Sequence, residues 1–276
     1  MTTQDWQLDW DAAFDNMQSR DPQALMANWQ DRSDDFKSRW AGLGQGLKNV
    51  PYGDHPRQRY DMFTPKTEAK GTIIFIHGGY WMRTGREHWS FLAEGMLAHG
   101  WAVAIPSYPL APEVKISAIT TSIVEAANHI ASQTTGALRL IGHSAGGHLV
   151  SRLACQGMLS DPVLARIEKA ISVSGIHDLR PLLMTKMNDI LNLDLTEASA
   201  ESSALFTPEH IPFTCWVGDH ERPEFLRQNR LLQDTWRDYF DAPHQVNAVY
   251  DQGHDHFSVI EQLAKPDCRL TLAIGA

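Results

Sequence analysis

Residues 138–148 read Leu-Arg-Leu-Ile-Gly-His-Ser-Ala-Gly-Gly-His, and they constrain the fold more than any other stretch of this chain. An apolar run leads into Gly-x-Ser-x-Gly, and a helical pattern follows it. This is the sequence form of a strand, a sharp turn and a helix, with Ser144 at the apex. A serine on such a turn is held in a strained conformation that lifts its hydroxyl above the sheet. Gly142 and Gly146 lack side chains, so strand and helix can approach the turn closely. The following helix points its free N–H groups toward the serine.

The surroundings of that turn alternate between two periodicities. Stretches at 72–76, 101–106, 138–141, 170–174, 214–217 and 246–249 read as strands, and the continuous β-branched apolar run at 72–76 as a central one buried on both faces. Helical patterns separate them, among them 87–99, 116–130 and 225–239. Strands alternating with helices imply a parallel sheet. Residues 57–64 alternate and end at Pro65, as an edge strand can, and 42–52 is glycine-rich and turn-like. With 276 residues, 43% of them hydrophobic, the chain suits one large α/β domain spanning 1–276.

Two segments stand outside this pattern. Residues 1–41 form an N-terminal helical arm with an apolar face of Trp6, Trp10, Ala13, Phe14 and Met17. Asp21-Pro22 caps a second short helix there, and Ser33 can start a third. Residues 178–211 hold leucine-rich short helices and no strand. We expect 178–211 to be a cap facing the substrate; the arm at the active-site mouth is the lesser expectation.

A serine hydroxyl needs a base within hydrogen-bond reach, and the base needs an orienting acid. Where the serine sits on a Gly-x-Ser-x-Gly elbow of this form, the order along the chain is serine, acid, histidine. Gly218-Asp219-His220-Glu221 follows the strand at 214–217 and offers two carboxylates. Glu221 is preferred over Asp219 for its reach back under the histidine. Gln252-Gly253-His254-Asp255-His256-Phe257 follows the last strand. His256, beside Phe257, is preferred over His254 as the base. His77-Gly78-Gly79-Tyr80-Trp81 ends the strand at 72–76, where ligands sit in open α/β sheets. The N–H groups of Gly78, Gly79, Tyr80 and Ala145 are the expected oxyanion donors. Trp81 or Tyr80 is expected to stack on a substrate ring.

Other chemistries fit poorly. A net charge of −9 and no Lys/Arg run argue against a nucleic-acid partner. No His-Glu-x-x-His occurs, and neither His254 with His256 nor His143 with His148 supplies three zinc ligands. No metal and no cofactor are expected. Cys155, Cys215 and Cys268 are widely separated and odd in number, which suits a reducing compartment. The N-terminal residues are polar and acidic, so no leader and no membrane span are expected, and the location expected is cytoplasmic. The expected partner is a small-molecule substrate, with a homodimer left open.

Several of these segments together resemble the serine-dependent kynurenine formamidases (arylformamidases), which are α/β-hydrolases. His77-Gly78-Gly79-Tyr80-Trp81 resembles their His-Gly-Gly-x-Trp signature, and Gly142-His143-Ser144-Ala145-Gly146-Gly147 their nucleophile elbow. Glu221-Arg222-Pro223-Glu224-Phe225 with Gln228 is similar to their acid loop, and Asp255-His256-Phe257 with Ile260-Glu261 to their histidine segment. The resemblance implies Ser144, Glu221 and His256 as catalytic residues. Glu221 stands where an aspartate is more usual in the animal enzymes. The implied fold is a mostly parallel central sheet with helices on both faces and a small helical cap. The implied reaction is hydrolysis of N-formyl-L-kynurenine to kynurenine and formate. A carboxylesterase acting on small acyl or aryl esters is the alternative.

Overall fold

The computed structural model describes residues 8–17, 20–240 and 245–276. Its centre is an eight-stranded sheet in the order β1-β2-β4-β3-β5-β6-β7-β8. The strands are β1 (Gly46–Pro51), β2 (Arg59–Phe63), β3 (Gly71–Ile76), β4 (Ala102–Pro106), β5 (Ala137–His143), β6 (Ile167–Val173), β7 (Phe213–Gly218) and β8 (Val246–Asp251). β1 and β2 pair antiparallel with each other, and β2 with β4; every later pairing is parallel. The expected α/β-hydrolase architecture is therefore the one observed.

Alternation along β3 shows why this sheet must be covered twice. Ile74 and Ile76 enter one buried cluster, with Leu140, Val150 and Phe225. Ile73 and Phe75 enter the other, with Ile141, Trp29 and Phe257. Successive side chains on a strand point to opposite faces, so the two clusters are the two layers of core.

The N-terminal arm touches both layers. Helix α1 (Trp10–Phe14) is capped by Asp9 and sends Phe14 into the first cluster. Helix α2 (Pro22–Ala41) sends Trp29 and Phe36 into the second. Asp21 caps α2 and Pro22 opens it, as the sequence suggests, but the helix runs unbroken through Ser33. A serine in mid-helix competes only weakly with the backbone, and packing of Trp29 and Phe36 on the sheet decides the outcome. Trp6, part of the expected apolar face, lies outside the described residues.

Other differences follow from context. Residues 46–51 form strand β1, so β2 is not the edge. The stretch 87–99 becomes two short 3-10 turns and helix α3 (Ala93–Ala98) instead of one helix. Helix α4 (Ile116–Gln133) matches its periodicity, and helix α5 (Ala145–Leu153) follows the elbow. A further helix, Pro223–Trp236, fills the expected place after β7. Among the described residues no helix is long and apolar enough to cross a membrane.

Candidate active site

Strands β3, β5, β6, β7 and β8 all end on one side of the sheet, and their loops converge there. Pairing of Ile76 with Gly142 sets the 77–81 loop beside the elbow. Pairing of Gly218 with Asp251 sets the acid loop beside the histidine loop.

Ser144 lies at φ 55° and ψ −116°, the strained apex expected of the turn. The two glycines are required there. A Cβ on Gly142 would lie 2.2 Å from the Gly146 carbonyl oxygen, and one on Gly146 would lie 2.0 Å from that of Ile76. Ser144 N–H is held by the Val173 carbonyl at 2.8 Å, which ties the apex to β6.

His256 Nδ1 donates to Glu221 Oε2 at 2.7 Å. The other carboxylate oxygen, Oε1, accepts from Ser174 Oγ at 2.5 Å and from the Gly218 N–H at 3.0 Å. Glu221 is thus fixed from three directions with its side chain wholly buried. Asp219 instead accepts from the Gly253 N–H at 2.8 Å and braces the histidine loop. His254 reaches Ser258 Oγ at 3.3 Å, not the acid. The two alternatives left open by the sequence resolve in favour of the Glu221–His256 pair as the one bonded.

The imidazole of His256 is packed edge-on between Phe225 and Phe257 and leans on His143. His143 Nε2 donates to the His256 carbonyl at 2.8 Å. Burial, and then the neighbouring His256, hold the His143 imidazole well below the usual histidine value, so it is neutral. Sequence reasoning missed Ser174 and His143 as supports. Their positions, at the ends of β6 and β5, were the available signal.

The 77–81 loop is held by its carbonyls. Gly78 C=O accepts from Thr84 Oγ1 at 2.8 Å, and Gly79 C=O accepts from the Met82 and Arg83 N–H groups at 3.0 and 2.9 Å. In a trans peptide the next N–H points the opposite way. These bonds therefore turn the N–H groups of Gly79 and Tyr80 away from the loop's own partners. Gly79 and Tyr80 line a cavity of about 220 Å³ together with Ser144, His143 and His256. Gly78 packs so close that a Cβ would lie 3.2 Å from Ser144 Cβ. Ala145 is the first residue of α5, at the positive end of that helix. Gly79, Tyr80 and Trp81 all have positive φ, at 116°, 55° and 59°.

Trp81 corrects an expectation. It is 0% exposed and donates from Nε1 to His148 Nδ1 at 3.2 Å. Its ring packs the loop onto α5 and cannot stack on a substrate. Burial pushes His148 down to about 3, so its Nδ1 is free to accept. Tyr80 does line the cavity.

The cap expectation is also corrected. The Ser144 cavity is walled by Met17, Pro22, Leu25, Met26 and Trp29 of the arm, and no residue of 178–211 lines it. That segment packs elsewhere: Leu179, Leu182, Leu191 and Ile211 join the first buried cluster, and polar contacts fix it, with Thr120 Oγ1 to Glu201 Oε2 at 2.6 Å, Ser151 Oγ to Ser203 Oγ at 2.7 Å and His148 Nε2 to the Glu201 carbonyl at 2.7 Å. Its residues Thr185, Lys186, Met187 and Ile190 border a second cavity, which adjoins the first through Tyr80 and Arg83. No group of three or more metal-ligating side chains gathers among the described residues.

Comparison with known proteins agrees with this geometry. Residues 73–213 match a family model described as the alpha/beta hydrolase fold. Kynurenine formamidase of Salmo salar is 31% identical over 250 residues, covering 84% of this chain and 82% of that one. This chain belongs to the kynurenine formamidase family. The homologue of that name from Danio rerio is 30% identical over 245 residues, at 84% and 82% coverage. A crystal structure from Silicibacter sp. TM1040, provisionally described as a thioesterase, superposes with a TM-score of 0.91 and is 38% identical, covering 98% and 100% of the two chains. As a member of the kynurenine formamidase family, the chain is a hydrolase.

Proposed function

We propose that this hydrolase cleaves aryl formamides, N-formyl-L-kynurenine first among them, through a formyl-enzyme on Ser144. Ser144 Oγ attacks the formyl carbon while His256 Nε2 takes its proton. Glu221 steadies the imidazolium through the Nδ1 bond. The tetrahedral oxygen is met by the N–H groups of Gly79, Tyr80 and Ala145, each worth about 3 kcal/mol in the barrier. His256 returns the proton to the departing aryl amine. Water then cleaves the formyl ester, releasing formate and freeing Ser144.

The supporting observation is that the 2.7 Å His256–Glu221 bond and Ser144 meet at one cavity with an apolar, aromatic wall. The relatives named kynurenine formamidase supply the choice of substrate.

The Silicibacter structure favours a second reading, hydrolysis of esters or thioesters. Specificity constants for N-formyl-L-kynurenine, p-nitrophenyl acetate and an acyl thioester separate the two. A higher constant for the formamide supports the formamidase reading. A formamide rate no faster than background, beside brisk ester turnover, refutes it.

A further inference from the structure

Two cavities meet at Tyr80 and Arg83; Asp11 and Lys186 on the wall of the second pair with each other, which leaves Arg83 and Asp15 unmatched. The first, above Ser144, is walled mainly by apolar side chains of the arm. Arg83 is the one Lys or Arg side chain among the described residues that line it. Arg83 is exposed, and its guanidinium has no hydrogen-bond or ion-pair partner among the described residues. The second cavity, of about 400 Å³, is also lined by Tyr80 and Arg83 and carries Asp15 on its wall. Asp15 accepts one bond, from the Met17 N–H at 2.9 Å, and has no cationic partner among the described residues. Burial raises the Tyr80 phenol above its ordinary value; Asp15 adds to the rise and Arg83 opposes it. Asp15, Tyr80 and Arg83 thus line one cavity, and the two charges do not pair with each other.

An unpaired cation and an unpaired anion lining one cavity beside an aromatic ring match an α-amino-acid zwitterion. A guanidinium receives a carboxylate in a two-pronged bond. A carboxylate receives an ammonium. We propose that this junction is a subsite for the α-amino acid group of the substrate, with Arg83 binding its carboxylate and Asp15 its ammonium. The aryl formamide then reaches down to Ser144 while the charged end stays at the mouth. Arg83 and Asp15 are specificity-determining residues, not catalytic ones. The inference rests on the formamidase reading for the identity of the ligand, but binding can be read without turnover.

The full-length Ser144→Ala protein is titrated calorimetrically with N-formyl-L-kynurenine, with N-formylkynuramine, which lacks the carboxylate, and with the analogue lacking the amine. The carboxylated ligand is expected to bind about tenfold tighter than N-formylkynuramine, the size of one charge-assisted bond at an exposed edge. Arg83→Gln in that background brings the ratio toward one, and Arg83→Lys restores part of it. Asp15→Asn does the same for the amine-bearing ligand against its deaminated analogue. Equal affinities in the parent, or a carboxylate preference that survives Arg83→Gln, overturn the assignment. Wild-type turnover of N-formyl-L-kynurenine is measured separately: its absence refutes the formamidase reading, while the affinity ratio still decides the subsite.

Discussion

At the scale of single residues, the two carboxylates after β7 have been given different work. Glu221 carries the His256 Nδ1 bond, and Asp219 carries a backbone N–H of the histidine loop. Glu221→Gln keeps the volume but replaces the accepting carboxylate with an amide, so it disturbs the tautomer of His256. We expect kcat to fall by about 10³- to 10⁴-fold. Asp219→Asn retains an oxygen to accept from Gly253, and its kcat should stay within about threefold of wild type. Steady-state rates of the two variants distinguish these assignments, and the reverse order would transfer the acid role to Asp219. His143 is a positioning residue of a similar kind. His143→Phe preserves a ring but leaves the His256 carbonyl without its donor, a loss of about 1–3 kcal/mol. kcat should drop roughly tenfold or more with KM little changed, and His143→Gln, which can still donate, should recover much of it. A KM change with kcat intact would place His143 in binding instead.

At the scale of elements, the N-terminal arm is the part whose role was hardest to read. Its apolar stripe looks like ordinary core, and much of it is: Trp29 and Phe36 are buried against the sheet. The same helix turns Leu25 and Met26 toward Ser144. Helical periodicity reports one apolar face and cannot separate residues that meet protein from residues that meet a ligand. Trp29 sits at that boundary, with its ring on Trp89 and its Nε1 donating to Glu261 Oε1 at 2.6 Å. Trp29→Ala should lower unfolding free energy by about 3 kcal/mol and widen the range of acyl groups accepted. Chemical denaturation and an ester chain-length series measure the two effects, and unchanged selectivity would remove the arm from the site. Arg20 also ties the arm to Asp255, next to His256. Burial alone would raise the Asp255 carboxyl, but the Arg20 guanidinium and the Ser258 donors outweigh it and hold the group down to about 2. A depressed carboxylate stabilises the fold above its unfolded value and loses that contribution as pH falls toward the folded one. The tether should therefore be intact at neutral pH and weaken between about pH 4 and about pH 2. Hydrogen exchange of residues 20–29 at the two ends of that window checks it, and equal protection at both would contradict the assignment.

At the scale of the whole molecule, the sheet and the line of strand ends were legible because one pattern specifies them. Runs such as Thr72–Ile76 are apolar on both faces, and that requires a covered parallel sheet. Ser144 and Glu221 could be placed because each closely follows such a run, and His256 because it comes in the loop after the last strand, β8. What lay off the strands was harder. β1 is almost wholly exposed, so Gly46–Pro51 carries little hydrophobic signal. Trp81 follows Gly78 and Gly79 closely in sequence, yet positive φ values at Gly79, Tyr80 and Trp81 turn its ring inward onto His148. The 178–211 segment is an insertion between strands, but its glutamates anchor it to α4 and α5, one layer away from the serine.

Peptide mass spectrometry after reaction with a phosphonate ester tests the central claim most directly, read alongside formate release from N-formyl-L-kynurenine. The account predicts one adduct, on Ser144, with formate release falling in proportion to its occupancy and absent in Ser144→Ala. Formate release that persists in the fully labelled protein or in Ser144→Ala would contradict it.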